Sequence, residues 1–208
     1  GPVSGYVKKE KHKGALDNKE YFHYDKNIKE CLKKKKFKIG NVSEEFLKCA
    51  DEIYDLIIPI LEKQIKILDE KIPGIHSWIF ENGTYNSKCT LRFLKYSTSA
   101  KGDFIAKGHY DKGILTMALA ESHSGLRLGK DSQKLNEVVH KEKVALVFPA
   151  ININDIISKE IISPSWHDVI QKENSDNEIT TRWALVVFTN PLYLKKNITY
   201  SVISEMIV

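Results

Sequence analysis

The chain has 208 residues, of which 42% are hydrophobic and 28% charged, and its formal net charge is +5. This length and composition fit a single soluble globular domain with enough apolar material for its own core, so that folding requires neither disulfides nor a structural metal. No apolar run approaches the roughly 20 residues that span a bilayer. The three cysteines, Cys31, Cys49 and Cys89, form no CxxC pair, so we expect reduced thiols and a cytoplasmic protein.

The first 18 residues are polar and rich in lysine, and we expect them to be poorly ordered. Much of the excess positive charge lies in residues 8–13 and 33–36. A lysine run is usually a solvated face, and no aromatic residues alternate with these lysines to stack on bases. Nucleic acid is therefore not the expected partner.

A long helix is predicted over residues 43–70. Ser43 is a suitable N-cap, and two glutamates follow it at the positive end of the helix dipole. Apolar residues then recur at helical spacing, which indicates one buried face. Pro59 should bend this helix, and the pair Pro73-Gly74 should end the helical section.

Short apolar or alternating runs follow from about residue 78, separated by turn residues. They cover residues 89–96, 104–109, 114–120, 126–128, 144–148, 183–189 and 198–207. Many short strands at this spacing are typical of a β-sandwich or jelly roll. We therefore predict a mainly β protein with N-terminal helices. Residues 19–208 would form one domain, with a helical layer over about 19–77 and a jelly-roll core over about 78–208.

The segment around His109 and Asp111 carries the clearest chemical signal. Residues two apart in a strand point to the same face, so both side chains can bind one metal ion while Tyr110 points away. A second histidine would complete a two-histidine, one-carboxylate face, which leaves open positions on Fe(II). An HxD triplet alone is a weak signal, because Asp111-Lys-Gly113 is also ordinary turn chemistry.

The residues around this motif resemble the isopenicillin N synthase-like branch of the 2-oxoglutarate- and Fe(II)-dependent dioxygenases. In that branch, an HxD motif and a glycine lead into a Leu-Thr-Leu-Leu strand and then a Gly-Leu-Gln-Val strand. The corresponding positions here are His109, Asp111, Gly113 and residues 115–119 and 125–128. Looser similarities at residues 19–22, 91–96, 148–155 and 163–169 extend the resemblance from about residue 19 to residue 190.

This resemblance implies a double-stranded β-helix, a distorted jelly roll, in which Fe(II) is held by His109, Asp111 and His167. His167 corresponds to the distal histidine of the family's Ser/Thr-x-x-His-Arg-Val segment. The cosubstrate 2-oxoglutarate would bind Arg182, which begins an apolar strand as in the family's Arg-x-Ser motif. Arginine suits this role because its planar fork grips a carboxylate and keeps its charge. Tyr96 could add a hydroxyl to the same carboxylate.

The remaining histidines are expected to be solvated side chains, with His140 as the main rival to His167. These are His12, His23, His76, His123 and His140.

Three positions also depart from the family pattern. Ala184 replaces the serine of Arg-x-Ser, Leu94 replaces an asparagine, and Asp168 replaces the arginine after the distal histidine. These departures concern cosubstrate affinity more than iron binding.

The implied activity is oxidation of a small-molecule substrate, with hydroxylation as the default, using O2 and 2-oxoglutarate and releasing succinate and CO2. The missing serine leaves open a ferrous oxidase of the same branch that does not use 2-oxoglutarate. A jelly-roll binding module without turnover is weakened by the intact ligand set. A zinc hydrolase lacks an evident general base, and a nucleic-acid demethylase would need a second arginine where Phe188 stands. Neither the substrate nor the oligomeric state follows from the sequence.

Overall fold

The computed structural model describes residues 5–10, 17–34, 40–80, 89–97, 102–155, 157–172 and 181–190. Within these ranges the helices are α1 (Ile28–Lys34), α2 (Asn41–Asp69) and α3 (Ile75–Phe80), with a 3-10 helix at Ile151–Asp155. The strands are β1 (Gly5–Lys9), β2 (Lys19–Tyr24), β3 (Cys89–Ser97), β4 (Phe104–Tyr110), β5 (Leu115–Glu121), β6 (Leu126–Gly129), β7 (Leu135–Glu137), β8 (Leu146–Pro149), β9 (Trp166–Ile170) and β10 (Thr181–Thr189).

Helix α2 has one buried face, as predicted. Its buried residues recur every three or four positions and so form one stripe: Leu47, Ala50, Tyr54, Ile58, Leu61 and Ile65. The helix begins two residues earlier than predicted, at Asn41, because the carbonyl of Gly40 accepts the first hydrogen bonds, from the backbone N–H groups of Ser43 and Glu44. Pro59 lies inside the helix on its exposed side. In the described ranges, no helix is long and apolar enough to cross a membrane.

Two antiparallel sheets form the β part of the molecule. The six-stranded sheet has the order β1-β2-β3-β10-β5-β8, and the four-stranded sheet has the order β4-β9-β6-β7. Strands adjacent in space are thus mostly distant in sequence, which is the connectivity of a jelly roll rather than of a meander. The predicted fold class, mainly β with N-terminal helices and a jelly-roll core, is confirmed.

The six-stranded sheet has a different core on each face. Its outer face packs on the helices through a cluster that includes Tyr54, Leu61, Leu91 and Val187. Truncating a fully buried residue such as Leu61 to alanine costs about 2–5 kcal/mol in comparable cores. Its inner face meets the four-stranded sheet through a smaller cluster: Leu94, Tyr96, Ile105, Ala106, Leu126 and Val169. This smaller core surrounds the pocket described below.

Two strands occupy a region where no strand was predicted. β1 pairs with β2 from Gly5 opposite His23 to Lys9 opposite Lys19, and β2 pairs with β3. The predictions that residues 1–18 are poorly ordered and that a helical layer begins at residue 19 are therefore wrong for residues 5–9 and 19–24. The side chains of β1 are exposed or half-buried. This edge strand is therefore held by main-chain pairing, and its sequence has no hydrophobic pattern that would predict a strand. Residues 1–4 and 11–16 lie outside the described residues.

Most of the predicted strands are present, and their ends are shifted by two residues at most. β7 and β9 were not predicted, and β9 is the strand that carries His167. The predicted strand over residues 198–207 lies outside the described residues.

Candidate metal centre

Strand pairing brings the predicted metal ligands together. β4 and β9 are antiparallel neighbours in which His109 lies directly opposite His167 and Tyr110 opposite Trp166. Asp111 follows the end of β4, two residues after His109, and is buried. Two residues from one strand end and one from its neighbour thus converge on the same inner face of the four-stranded sheet.

The three side chains lie at the separation that a single metal ion requires. One ligand atom from each residue lies within 4.8 Å of those of the other two. The Nε2 atom of His109 is 3.5 Å from Oδ1 of Asp111, and the Nε2 atom of His167 is 3.6 Å from Oδ2. The imidazole ring centroids are 4.3 Å apart. Two nitrogens and a carboxylate on one side of a site form the facial arrangement that leaves further positions open on a non-haem Fe(II) ion.

Hydrogen bonds orient two of the ligands. The Nδ1 atom of His109 lies 2.8 Å from the carbonyl oxygen of Lys107. A carbonyl only accepts, so in the neutral imidazole Nδ1 carries the proton and Nε2 is the nitrogen that can bind a metal. The hydroxyl of Thr116 donates to Oδ2 of Asp111 at 2.9 Å. Such outer partners fix the tautomer and orientation of metal ligands. The donor set therefore fits a divalent metal that prefers imidazole and carboxylate.

The charges of the site favour an ionised carboxylate beside two imidazoles. Burial would raise the pKa of Asp111, but the histidines and Thr116 outweigh burial and hold it well below its usual range. Burial would lower the pKa of His109, yet its hydrogen bond to Asp111 raises it above the ordinary value. Burial lowers the pKa of His167, opposed by the charge of Asp111. At neutral pH the site thus offers an ionised carboxylate to a cation.

Two glycines beside the ligands are required by close contacts. Gly113 has φ of +112°, and a Cβ there would lie 2.4 Å from the carbonyl oxygen of Thr189. Its N–H donates to Oδ1 of the buried Asn152 at 2.9 Å, which anchors the turn after Asp111. A Cβ on Gly108 would lie 2.6 Å from the Trp166 ring. Gly108 and Gly113 are therefore both required for steric reasons. Asn152 and Trp166 support this part of the site, and sequence reasoning missed both.

Asp168, the unexpected residue after the distal histidine, has a structural partner. Arg127 on β6 lies opposite it, and Nε and Nη2 of Arg127 donate to its two carboxylate oxygens at 2.7 Å each. This two-pronged pair ties β6 to β9 next to His167.

The metal ligands lie at one end of a pocket between the two sheets. The pocket has about 660 Å³ of space between its atoms, counted with the open solvent at its mouth. Its floor alternates along β3 and β10 so that residues two apart share the inner face. The alternating floor residues from these strands are Arg92, Leu94, Tyr96, Arg182, Ala184, Val186 and Phe188, and Leu185 also lines the pocket beside a β-bulge in β10.

The predicted cosubstrate residues lie together at the other end of this floor. Tyr96 and Arg182 are directly opposite one another on β3 and β10. Burial raises the pKa of Tyr96 to about 12, so its hydroxyl stays protonated and can donate. Arg182 forms an ion pair with Glu121, and its Nε donates to the carbonyl oxygen of His123 at 3.0 Å. Sequence reasoning did not find Glu121, which is the last residue of β5 and belongs to no motif.

Two histidines differ from the expectation that they are solvated. His23 is buried at 6% exposure, and its Nε2 accepts a hydrogen bond from Nε of Arg92. The prediction for His23 is therefore wrong, because β2 places this residue directly opposite Arg92 of β3 within the six-stranded sheet. His140 lines the pocket but does not belong to the three-residue metal cluster.

Several solved structures share this architecture. JOX2, crystallised with 2OG, Fe and JA, matches with a TM-score of 0.67 and 21% identity over 90% of this chain and 55% of its own. A 2OG-Fe(II) oxygenase family protein from Caulobacter crescentus matches with a TM-score of 0.67 and 16% identity over 92% and 64%. An oxygenase from Shewanella oneidensis matches with a TM-score of 0.66 and 15% identity over 91% and 68%.

The chain has the jelly-roll fold of the 2-oxoglutarate- and Fe(II)-dependent oxygenases. It spans about 55–68% of the length of these three structures. No protein-family model and no curated protein matches the sequence.

Proposed function

We propose that the protein is a non-haem Fe(II)- and 2-oxoglutarate-dependent oxygenase of the isopenicillin N synthase-like branch. It would hydroxylate, or otherwise oxidise, a small-molecule substrate with O2 and release succinate and CO2. The observation that carries this proposal is the convergence of His109, Asp111 and His167 on one point inside the jelly roll. Similar structures with bound 2OG, among them JOX2, support the choice of cosubstrate.

The chain's own residues would hold and orient the reactants. His109, Asp111 and His167 would hold Fe(II), which when bound supplies the oxidative chemistry with O2 and 2-oxoglutarate. Thr116 keeps one oxygen of Asp111 in place, and the carbonyl of Lys107 keeps the imidazole of His109 in the tautomer that binds metal. A preset ligand geometry reduces the reorganisation needed when metal and cosubstrate bind.

The far end of the pocket would bind the distal carboxylate of 2-oxoglutarate. Arg182 supplies the cation and Tyr96 a hydroxyl donor, and both line the same floor. Apolar side chains around them keep water away and so strengthen the charge interaction. Leu94, Leu126 and Val169 form this wall.

A ferrous oxidase that does not use 2-oxoglutarate is the second candidate. Two observations favour it: Ala184 provides no hydroxyl next to Arg182, and Glu121 already neutralises that arginine. In this alternative the ion pair would be permanent and the metal centre would bind the substrate alone.

Succinate release separates these two functions. Protein loaded with Fe(II) without oxygen is given 2-oxoglutarate and then O2, and succinate is measured against a metal-free control. The proposal predicts succinate from the wild type, none from His109→Ala, and a higher 2-oxoglutarate requirement for Arg182→Ala. No succinate from protein that retains its iron would favour the ferrous oxidase.

A further inference from the structure

Three cationic side chains line the pocket, and two of them are matched by carboxylates. Nζ of Lys19 lies 3.1 Å from Oδ2 of Asp17, and Arg182 is paired with Glu121. Arg92 is the third cation. Among the residues that the structure describes, no carboxylate forms an ion pair with Arg92.

The surroundings of Arg92 satisfy only part of the hydrogen-bonding capacity and charge of its guanidinium group. Its Nε donates to His23, and its guanidinium carbon lies 4.9 Å from the ring centroid of Tyr21 and 4.3 Å from that of Phe188. A neutral imidazole and two aromatic faces stabilise a cation only modestly. In the described part of the chain, no acceptor meets its two terminal nitrogens. The pocket therefore contains a fixed arginine fork with room for an anion.

Strand register places Arg92 near the metal end of the floor. Arg92 lies opposite Val186 on β10. Two residues further along β10, Phe188 lies opposite Thr116. The hydroxyl of Thr116 in turn donates a hydrogen bond to Asp111. The pair Tyr96–Arg182 lies four residues further along β3, or about 13 Å at strand spacing. A ligand beside the metal would thus approach Arg92, while the far end of the cosubstrate would approach Arg182.

We propose that Arg92 binds a carboxylate of the molecule that is oxidised, so that the substrate is an apolar small molecule bearing an acidic group. This inference rests on the proposed function, because it assigns the other arginine, Arg182, to the cosubstrate. Apolar walls accommodate the rest of the substrate, and the arginine fork selects a planar anion over a neutral polar group.

Matched pairs of acids and amides test this inference without turnover. The protein is loaded with Zn(II), which is redox-inert and accepts the same ligands, and is then saturated with 2-oxoglutarate. It is titrated with three acids, phenylacetate, 3-phenylpropanoate and octanoate, and with the primary amide of each. Ligand-observed NMR gives each affinity. At least one acid should bind about tenfold or more tightly than its amide. No acid preference in any pair would overturn the proposal.

Variants show whether Arg92 is the cause. Arg92→Gln should lose the acid preference, and Arg92→Lys should keep part of it, because charge remains without the fork. Lys95→Gln is the matched control, since it removes one charge from the same strand on the side away from the pocket. The affinity of Arg92→Gln for 2-oxoglutarate should stay within about twofold of wild type.

Two further outcomes have definite meanings. If Arg92→Gln keeps the acid preference, the proposal is wrong. If Arg92→Gln instead loses about tenfold in affinity for 2-oxoglutarate, the proposal is also wrong, and Arg92 serves the cosubstrate. If Arg92 confers the acid preference but the iron-loaded wild type releases no succinate, this inference stands and the proposed function fails. Thermal melts of each variant confirm that the fold is retained.

Discussion

The two ends of the pocket are organised differently. At the metal end, three residues converge, and the hydrogen bonds of Lys107 and Thr116 keep two of them in position. At the far end, Arg182 is held by a carboxylate of the chain itself, Glu121, at the place where a cosubstrate carboxylate would bind. On the proposed function, the metal end would be ready for its ion, whereas the far end would have to exchange one anion for another.

On the proposed function, this difference bears on the departures from the family pattern at the far end of the pocket. The metal ligands need fixed geometry, and here the flanking glycines and Asn152 are in place. Binding of a carboxylate needs only an available cation and donors, so Ala184 and Glu121 can change its strength without removing it.

The largest effect is expected at the metal end. His109→Ala removes a ligand and should lower the affinity for a divalent metal by at least about 100-fold, more than typical losses of outer partners. Metal retention is measured after dialysis against a chelator of known strength. His140→Ala is the control, because His140 lines the same pocket outside the cluster. Equal metal loss in both variants would show that the assignment of His109 is wrong.

Loss of an orienting hydrogen bond should have a smaller effect at the same end. Thr116→Val removes the hydroxyl that donates to Asp111, with little change in volume, and should weaken metal binding about tenfold. Thr90→Val places the same change at another buried position of the six-stranded sheet. Metal affinity by competition titration should fall only for Thr116→Val; a matching fall in both would indicate a general effect on the fold.

Metal affinity should also depend on pH in a direction set by His109. Its pKa is raised above the ordinary value, chiefly because the hydrogen bond and charge of Asp111 outweigh burial. The metal binds only the unprotonated Nε2, so it must displace this proton at low pH. Affinity should therefore rise by about tenfold per pH unit below the pKa of His109 and become constant above it. A flat profile from about pH 5.5 to 8.5 would contradict this model.

The smallest effect is expected at the far end. Glu121→Gln removes the internal anion that competes for Arg182, so 2-oxoglutarate should bind about three- to tenfold more tightly. Calorimetry on the zinc-loaded protein measures this. Glu20→Gln, a half-buried carboxylate on β2, is the matched control for charge. Weaker binding by Glu121→Gln would mean that Glu121 serves to orient Arg182.

The sequence predicted the metal end better than the far end. His109 and Asp111 share a short motif whose geometry follows from strand periodicity, and the family context located His167 although β9 was not predicted. Glu121 reaches Arg182 across 61 residues, so no local pattern could pair them. The position of Arg92 in the pocket could have been predicted, because strand periodicity puts it on the same face as Tyr96. Its significance depends on the lack of an ion pair between Arg92 and any carboxylate of the described residues, which only the folded chain reveals.

The most direct measurement of the central claim is the anaerobic absorption spectrum of the protein with Fe(II) and 2-oxoglutarate. A chelate of the two inside the pocket gives a visible charge-transfer band. We expect this band in the wild type, its absence in His109→Ala, and a higher 2-oxoglutarate concentration for half-saturation in Arg182→Ala. Wild-type protein that retains iron but shows no band at saturating 2-oxoglutarate would contradict the account.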